Sequence, residues 1–544
     1  VSVELEEGAL LIEGRVPAVP ARSRTKLKKA AEVLRGLTNA TDGDNLAARI
    51  AAVFEDGVAE LLTKYPDRTG STLTKPPLEL SVDRPLARAG AWYEFFPRSI
   101  VSGRAGGHGT FRSAMKTELR RIADMGFDVV YLPPIHPIGT TARKGRNNML
   151  EAGPDDVGVP WAIGGKEGGH TAVHPQLGTL KDFDNFRAEA ERLGLEVALD
   201  FAIQASPDHP WVKQHPQWFH HRPDGSIKFA ENPPKQYQDI YPINFDIEEP
   251  HRTELWTELK AIVDFWVDRG VKIFRVDNPH TKPFAFWEWL IGDIKAKDPE
   301  VIFLSEAFTK PVVMRALAKL GFTQSYTYFT WRNHKHEIIE YLTELTQTEM
   351  ADYFRPNFFA NTPDILHEYL QHGGPPAFKV RLALAAFLSP SYGIYSGFEL
   401  FENAPVRPGS EEYMNSEKYE LKPRDYSGDN LMPYITRINE IRRKHPVTSE
   451  LTNLYFHGVD KEHMLAFSKT GRNQDALLVV VNLNPWHWEE ATLHLNLDVF
   501  GIGHDQPFEV HDLITDTTFM CRGPDNYVRL DPFDESAHVF RVRG

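Results

Sequence analysis

The stretch Phe274-Arg275-Val276-Asp277-Asn278 (FRVDN) ends an apolar run and places an arginine two residues before an aspartate. Successive side chains of a β-strand point to opposite faces, so Arg275 and Asp277 share one face of the predicted strand. A charged pair on the inner face of a buried strand is costly unless it is used. This strand end is therefore the first candidate for an active site.

Two further apolar runs downstream also end in a carboxylate. Residues 301–305 lead directly into Glu306, and the segment NFFANTPD (357–364) ends in Asp364. Between them, residues 324–329 are also predicted to form a strand. A parallel barrel assembles its active site at the C-terminal ends of its strands. Three strand ends that carry carboxylates therefore predict that these groups meet at one mouth of a barrel.

The periodicity of apolar residues divides the 544-residue chain into three predicted regions. Residues 1–87 show helical spacing, residues 88–454 alternate helices with strands, and residues 455–544 contain short strands separated by turns. The predicted fold class is α/β: a (β/α)8 TIM barrel with an N-terminal helical region and a C-terminal antiparallel β-sandwich. Long insertions at about 138–169 and 204–250 are expected to form the walls of a cleft.

Composition excludes several classes of function. The net charge of −14, from 61 basic and 75 acidic residues, argues against a general nucleic-acid partner, which would need an excess of Lys and Arg. No apolar run approaches the ~20 residues that span a bilayer, so no membrane partner is expected. The single cysteine, Cys521, excludes an intrachain disulfide and suits a reducing compartment. We expect a cytoplasmic protein.

Two sequence features suggest a cofactor, but neither fits one. The histidines at 170, 174, 209, 220 and 221 match no H-E-x-x-H or Cys/His pattern, and most are expected to be hydrogen-bonding groups at the surface or in the cleft. The glycine pairs at 164–165 and 168–169 lack the spacing of a phosphate-binding nucleotide loop. We expect no metal and no cofactor.

Paired carboxylates can carry out retaining chemistry on a glycosidic bond. Asp277 is the candidate nucleophile, since Arg275 on the same face favours its ionised form. Glu306 is the candidate acid/base, because an apolar strand end raises the pKa of a carboxyl group. Spacing alone leaves open a structural Arg–Asp ion pair and an ordinary strand-terminal glutamate.

These motifs resemble the conserved regions of the α-amylase superfamily, glycoside hydrolase family 13. FRVDN, FLSEAF (303–308) and NTPD (361–364) stand in the order found in that family, and DFAIQ (200–204) matches the region before them. The resemblance implies that Asp277 is the nucleophile and Glu306 the acid/base. It also implies that Asp364 stabilises the transition state and that Arg275 lies beside the nucleophile.

Three positions depart from the amylase pattern. Amylases usually carry a histidine in the first region and another just before the stabilising aspartate, where this chain has Ala205 and Pro363. Gln204 replaces the usual asparagine of the first region. The longer motifs instead resemble the α-1,4-glucan:maltose-1-phosphate maltosyltransferases. The matching stretches are RKGRNN (143–148), AENPPKQYQDIYPINFD (230–246), FRVDNPHTKP (274–283), LGFTQSYTYFTWR (320–332) and SEEYMNSEKYEL (410–421).

That resemblance implies a donor, an acceptor and a set of contacts. The donor is α-maltose 1-phosphate, the acceptor is the non-reducing end of an α-1,4-glucan or maltooligosaccharide, and a homodimer is possible. The residues implied in substrate binding, the last four of them at the phosphate, are Lys144, Asn148, Gln204, Asn232, Lys235, Tyr237 and Asn278. Two alternatives stay open: a hydrolase or trehalose-forming isomerase of the same superfamily, and a non-catalytic glucan-binding protein.

Overall fold

A computed structural model of the chain describes residues 2–36, 46–54, 57–72, 74–76, 80–101, 107–233, 235–471 and 475–544. The chain forms two compact units, Val1–Val82 and Asp83–Gly544. Each unit encloses an apolar core of its own. No helix within these stretches combines the length and the apolar character that a bilayer span requires.

The described part of the first unit is helical. Its helices are α1 (Ser2–Arg15), α2 (Ala21–Arg35), α3 (Leu46–Phe54) and α4 (Val58–Lys64). On α1, Leu5, Ala9 and Ile12 recur at helical spacing and are buried in the core of this unit. Gly36 ends α2 in the left-handed conformation, with φ of 74°, that often terminates helices.

Eight parallel strands form the centre of the second unit. They are β1 (Gly90–Glu94), β2 (Val129–Leu132), β3 (Glu196–Phe201), β4 (Ile273–Asp277), β5 (Ile302–Glu306), β6 (Gln324–Ser325), β7 (Asn357–Phe359) and β8 (Ser391–Tyr395). Their order is β6-β5-β4-β3-β2-β1-β8-β7, and a parallel bridge between Ser325 and Pro356 joins the two ends. The strands therefore close into a barrel, and the predicted (β/α)8 fold is confirmed.

The inward-facing positions of the barrel strands form an apolar layer below a polar one. Ile273 and Leu304 belong to a buried apolar cluster inside the barrel. Two residues further along the same strands, the inward positions are Arg275 and Glu306. The apolar layer is thus a floor directly beneath the polar groups at the C-terminal ends of the strands.

Helices surround and connect the barrel strands. They are α5 (Pro85–Arg88), α6 (Phe111–Asp124), α7 (Leu180–Arg192), α8 (Pro210–Gln214), α9 (His251–Asp268), α10 (Phe284–Lys297), α11 (Pro311–Lys319), α12 (Lys335–Gln347), α13 (Met350–Tyr353), α14 (Glu368–Leu388) and α15 (Met432–Lys444). Short 3₁₀ helices lie at Pro97–Ser99, Arg146–Asn148, Pro216–Trp218, Pro279–Thr281, Tyr328–Trp331, Phe398–Leu400, Pro446–Ser449 and Leu497–Phe500. Helices α6 and α7 each begin at a threonine that caps the first turn, Thr110 and Thr179.

One predicted strand is shorter than expected. The strand expected at 324–329 ends at Ser325, and Tyr328–Trp331 forms a 3₁₀ helix, so the expectation for the second half of that segment is wrong. The Thr327 side chain accepts a hydrogen bond from the Phe329 amide and caps this helix. A polar cap therefore ends β6 where the aromatic residues alone predicted a longer strand.

Within the second insertion, two small antiparallel pairs order the chain. Gln204–Ala205 pairs with Tyr241–Pro242. Ala230–Asn232 pairs with Lys235–Tyr237 and forms a hairpin. The insertion is therefore ordered by β pairing, and residues 241–242 return to pair with the chain just after β3.

The C-terminal part of the second unit contains eight antiparallel strands. They are β9 (Leu454–Val459), β10 (Met464–Thr470), β11 (Ala476–Asn482), β12 (Glu489–His494), β13 (Pro507–Asp512), β14 (Thr517–Arg522), β15 (Asp525–Leu530) and β16 (Ala537–Arg543). The first four residues of β9 pair with β10 and its last two pair with β12, so the sheet turns at this strand. The two parts enclose a second apolar cluster, which includes Val480, Ala491 and Val528. This is the expected β-sandwich.

The floor of the barrel predicts a stability effect. Leu304 is fully buried, so Leu304→Ala should lower the free energy of unfolding by about 2–5 kcal/mol through lost burial and a cavity. Urea unfolding followed by tryptophan fluorescence measures this. Val312 is 69% exposed, and Val312→Ala should change stability by less than about 0.5 kcal/mol. Equal effects of the two substitutions would contradict this account of the floor.

Candidate active site

One guanidinium group organises the polar layer of the barrel. Arg275 Nη1 lies 2.8 Å from Asp200 Oδ2 and 2.8 Å from Asp277 Oδ1. Its Nη2 lies 2.8 Å from Glu306 Oε1. The three carboxylates come from β3, β4 and β5, and each stands at or near the C-terminal end of its strand. Arg275 thus joins three neighbouring strands at one point.

Asp200 is the most enclosed of the three carboxylates. Its Oδ2 also accepts hydrogen bonds from Tyr131 Oη at 2.6 Å and from Trp161 Nε1 at 3.2 Å. Burial raises the pKa of Asp200 despite the nearby Arg275. These hydrogen bonds hold the Asp200 carboxylate in place, and Asp200 in turn positions Arg275.

Glu306 stands opposite Asp277 in the strand register. One oxygen of Glu306 accepts from Arg275, and the other, Oε2, accepts from the Asn278 amide at 3.2 Å. Burial raises the pKa of Glu306, and the neighbouring Asp277 adds to this, although Arg275 acts in the opposite direction. A carboxyl group in this environment can hold a proton at higher pH than a free glutamate.

Asn278 turns the chain immediately after β4. Its φ of 44° is left-handed, a conformation that Asn adopts more readily than most residues. The Asn278 carbonyl accepts from Thr281 Oγ1 at 2.8 Å and from Lys282 Nζ at 3.2 Å. These two contacts hold the turn that directs the Asn278 amide at Glu306.

Asp364 lies beyond β7 and pairs with Lys418. Burial opposes ionisation of Asp364, but the Lys418 ammonium, together with Lys235 and Arg275, outweighs burial and lowers the pKa of that carboxyl group. The backbone at Lys418 is held by Arg98, whose Nη2 donates to the carbonyls of Glu417 and Lys418 at 2.7 and 3.1 Å. The predicted stabilising aspartate therefore has a cation partner that the sequence analysis did not single out, although it lies in the matched stretch 410–421.

Glu94 is a further acidic group that the sequence analysis missed. It is buried at the end of β1, and its Oε2 has no hydrogen-bond partner among the described residues. Burial raises the pKa of Glu94 well above the ordinary value, and Arg275 only partly opposes this. The alternation of side chains along a strand could have identified Glu94, because it places Glu94 on the same face as Trp92.

The predicted phosphate contacts are divided between two places. Lys235 and Tyr237 lie on the hairpin, where Lys235 pairs with Glu412 and burial raises the pKa of the Tyr237 phenol. Asn232 is exposed on the opposite strand of the same hairpin. Lys235 is close enough to Asp364 to help lower the pKa of that carboxyl group. Asn278 belongs to a different element and directly follows β4.

The predicted sugar contacts also lie on the insertions. Lys144 is buried and donates to the Gln236 carbonyl at 3.2 Å and to the Gln238 side chain, so it ties the first insertion to the hairpin. Asn148 has a left-handed φ of 64°, and its Oδ1 has no hydrogen-bond partner in the described chain. Gln204 Nε2 donates to the Trp161 carbonyl at 3.2 Å.

Two further observations define the chemistry of the site. Both side-chain oxygens of Asp239, a buried residue that the sequence analysis also missed, lack a hydrogen-bond partner among the described residues. Within the same described stretches, no group of three or more His, Cys, Asp or Glu side chains is arranged to hold a metal ion.

Sequence comparison identifies close relatives. The family described as "GLGE, C-terminal" matches residues 456–542. Alpha-1,4-glucan:maltose-1-phosphate maltosyltransferase 1 of Streptomyces coelicolor is 57% identical over 99% of this chain and 78% of the relative. The enzyme of that name from Mycobacterium tuberculosis H37Rv is 52% identical over 99% of this chain and 76% of the relative.

Structural comparison agrees on the fold. The noncanonic maltogenic alpha-amylase AmyB of Thermotoga neapolitana superimposes with a TM-score of 0.62 at 19% identity, covering 85% of this chain and all of the amylase. The alpha-amylase of Geobacillus thermoleovorans gives 0.63 at 16% identity, covering 84% of this chain and 98% of the amylase. The barrel and sandwich are those of an amylase, while identity over the full chain shows that this protein belongs to the alpha-1,4-glucan:maltose-1-phosphate maltosyltransferase family.

Proposed function

We propose that this protein transfers a maltosyl unit from α-maltose 1-phosphate to the non-reducing end of an α-1,4-glucan and releases inorganic phosphate. The observation that carries the proposal is the cluster in which Arg275 holds Asp277 and Glu306 on adjacent strands. The 57% identity to a named maltosyltransferase supports the choice of substrates.

The proposed reaction is a double displacement. Asp277 attacks the anomeric carbon of the donor, and the bond from that carbon to the phosphate oxygen breaks while Glu306 protonates the departing oxygen. Glu306 then removes the proton from the acceptor 4-hydroxyl, which attacks the maltosyl–Asp277 ester and releases the aspartate. Two inversions retain the α configuration.

The strand geometry supports a retaining rather than an inverting route. Asp277 and Glu306 are register partners on adjacent strands. Neighbouring strands lie about 4.8 Å apart, which is compatible with the ~5–5.5 Å between carboxyl groups that a retaining mechanism needs. An inverting enzyme would need ~6.5–9.5 Å, to leave room for a water molecule between them.

The protonation states also suit this division of roles. Arg275 contacts Asp277 directly and holds that carboxylate in place for attack. Burial raises the pKa of Glu306, which favours the protonated form that donates. In the proposed mechanism Asp364, kept ionised by Lys418, faces the positive charge that develops on the sugar ring in the transition state.

A phosphate dianion leaving group needs local donors rather than a basic surface. We propose that Asn232, Lys235, Tyr237 and Asn278 supply them. Lys235 is paired with Glu412, and 43% of the lysine side chain is exposed. An exposed ion pair of this kind contributes only about 0–1 kcal/mol, so the donor phosphate can displace the glutamate.

We propose that Lys144, Asn148 and Gln204 contact the maltosyl part of the donor. The unpartnered Oδ1 of Asn148 is an acceptor that a sugar hydroxyl can satisfy. The two unpartnered oxygens of Asp239 lie close to Lys144 and offer the same kind of contact. Buried acceptors without a protein partner are costly unless a ligand supplies the donor.

We further infer a cytoplasmic homodimer. The single cysteine supports a reducing compartment. The dimer rests on the family resemblance, and light scattering of the purified protein measures it directly: the molar mass of two chains supports the inference and that of one chain refutes it.

The overall reaction can be tested with the purified protein. Protein mixed with α-maltose 1-phosphate and maltohexaose should release inorganic phosphate and produce oligosaccharides that grow in steps of two glucose units. Phosphate assay and chromatography of the products measure both. Shortening of maltohexaose without phosphate release would favour an amylase, and trehalose formation from maltose would favour the isomerase.

The identity of the nucleophile can be tested by trapping the covalent intermediate. Glu306→Ala protein lacks the base for the second step, whereas α-maltosyl fluoride needs no acid in the first. The variant should therefore accumulate a maltosyl ester, and mass spectrometry of the digested protein should place it on the peptide containing Asp277. The double variant Asp277→Ala/Glu306→Ala should remain unlabelled. A label on Asp200 or Asp364 would reassign the nucleophile.

The role of Lys235 in the proposed phosphate site can be tested by substitution. Lys235→Ala should raise the KM for maltose 1-phosphate about tenfold, the loss expected for one charge-assisted hydrogen bond. The KM for maltohexaose should stay within about twofold. Lys228 is an exposed lysine of the same insertion, and Lys228→Ala serves as the matched control. An unchanged donor KM in Lys235→Ala would remove this lysine from the phosphate site.

A further inference from the structure

Two buried histidines outside the carboxylate cluster, His170 and His209, are in direct contact. His170 Nδ1 lies 3.2 Å from His209 Nε2. His170 directly follows the first insertion, and His209 belongs to the second. Both side chains are almost fully buried. The contact therefore joins the end of the first insertion to the second insertion.

The direction of each hydrogen bond follows from the neighbouring groups. His209 Nδ1 accepts from the Trp211 amide at 3.1 Å, so the ring proton of His209 is on Nε2 and is donated to His170 Nδ1. The proton of His170 is then on Nε2, which donates to the Ala202 carbonyl at 2.9 Å. Burial lowers the pKa of His209 to about 3 and that of His170 well below its ordinary value, so both rings are neutral near pH 7.

The Ala202 carbonyl connects this pair to the donor site. It also accepts from the Gln204 amide at 3.0 Å, which forms a tight turn immediately after β3. The Gln204 side chain donates to the Trp161 carbonyl at 3.2 Å, and the Trp161 indole donates to Asp200 at 3.2 Å. A continuous set of hydrogen bonds thus runs from His209 to the carboxylate that supports Arg275.

Two glycines of the first insertion make room for His209. A Cβ atom at Gly164 would lie 2.3 Å from His209 Cδ2, and one at Gly169 would lie 2.2 Å from His209 Nε2. Any side chain at either position would push the imidazole out of place. The glycine-rich stretch that does not fit a nucleotide loop therefore has a steric role: it lets the first insertion close over His209.

We propose that His209 is a positioning residue for the donor site, acting through His170 and the Ala202 carbonyl on the backbone of Gln204. The inference rests on the proposed function, in which Gln204 contacts the maltosyl unit. His209 does not itself touch the substrate. Its loss should therefore weaken the use of the donor and leave the acceptor unaffected.

Two substitutions at one position separate the hydrogen bonds that His209 makes. In His209→Asn, the amide oxygen can replace Nδ1 and keep the bond from Trp211, but the side chain is too short to reach His170. In His209→Gln, the amide nitrogen can replace Nε2 and restore the bond to His170. Gly169→Ala displaces the imidazole without changing the histidine and serves as an independent third variant.

The expected result is a split between donor and acceptor. His209→Asn and Gly169→Ala should lower kcat/KM for maltose 1-phosphate about tenfold, since small misplacements of a positioning group have effects of this size or larger. The KM for maltohexaose should stay within about twofold, and His209→Gln should recover most of the loss. In a Gln204→Ala background, His209→Asn should cause little further loss, because both changes act on the same contact.

Several results would overturn the inference. One is wild-type donor kinetics in both His209→Asn and Gly169→Ala; another is an effect of His209→Asn that adds fully to that of Gln204→Ala. Thermal melts identify a variant that fails to fold, in which case the remaining variant decides.

If even the wild-type protein fails to release phosphate, the proposed function is wrong. Crystal structures of the variants then decide separately whether His209 positions Gln204. Displacement of Gln204 in His209→Asn but not in His209→Gln supports it, and an unmoved Gln204 in both refutes it.

Discussion

The contact of one guanidinium with three carboxylates determines how the rest of the site can be arranged. Arg275 reaches Asp200, Asp277 and Glu306 at 2.8 Å each, so three strand ends must meet within the span of a single side chain. The parallel register of the three neighbouring strands β3, β4 and β5 brings those strand ends together. The apolar layer beneath keeps the arginine away from water, where its interactions with the carboxylates are strongest.

Three carboxylates surround Arg275, and the local surroundings affect the ionisation of two of them and of Asp364 differently. Burial favours the protonated forms of Asp200 and Glu306, whereas Lys418 keeps Asp364 ionised. Similar side chains thus acquire different protonation states from their positions alone. A protonated Glu306 is what the first step of the proposed mechanism requires, because that step donates a proton to the departing oxygen.

Sequence alone predicts the barrel and the residues at its strand ends because both follow from local patterns. An arginine two residues before an aspartate in an apolar run is visible without coordinates, and so is a glutamate at a strand end. Contacts between distant segments are not visible in this way. The pairing of Lys418 with Asp364 joins residues 54 positions apart, and Glu94 becomes notable only once β1 is known to line the barrel. The early end of β6 depends on a single threonine cap.

The pairing of Lys235 with Glu412 has a consequence for turnover. In the proposed mechanism the donor phosphate does not enter a vacant cationic pocket but replaces a carboxylate that is already there, so binding is an exchange of anions. Inorganic phosphate, once formed, meets the same competitor, because Glu412 can reclaim the lysine. In that proposal Glu412 is a tethered counter-ion that lowers the affinity of the chain for its own product and helps to clear the site for the acceptor.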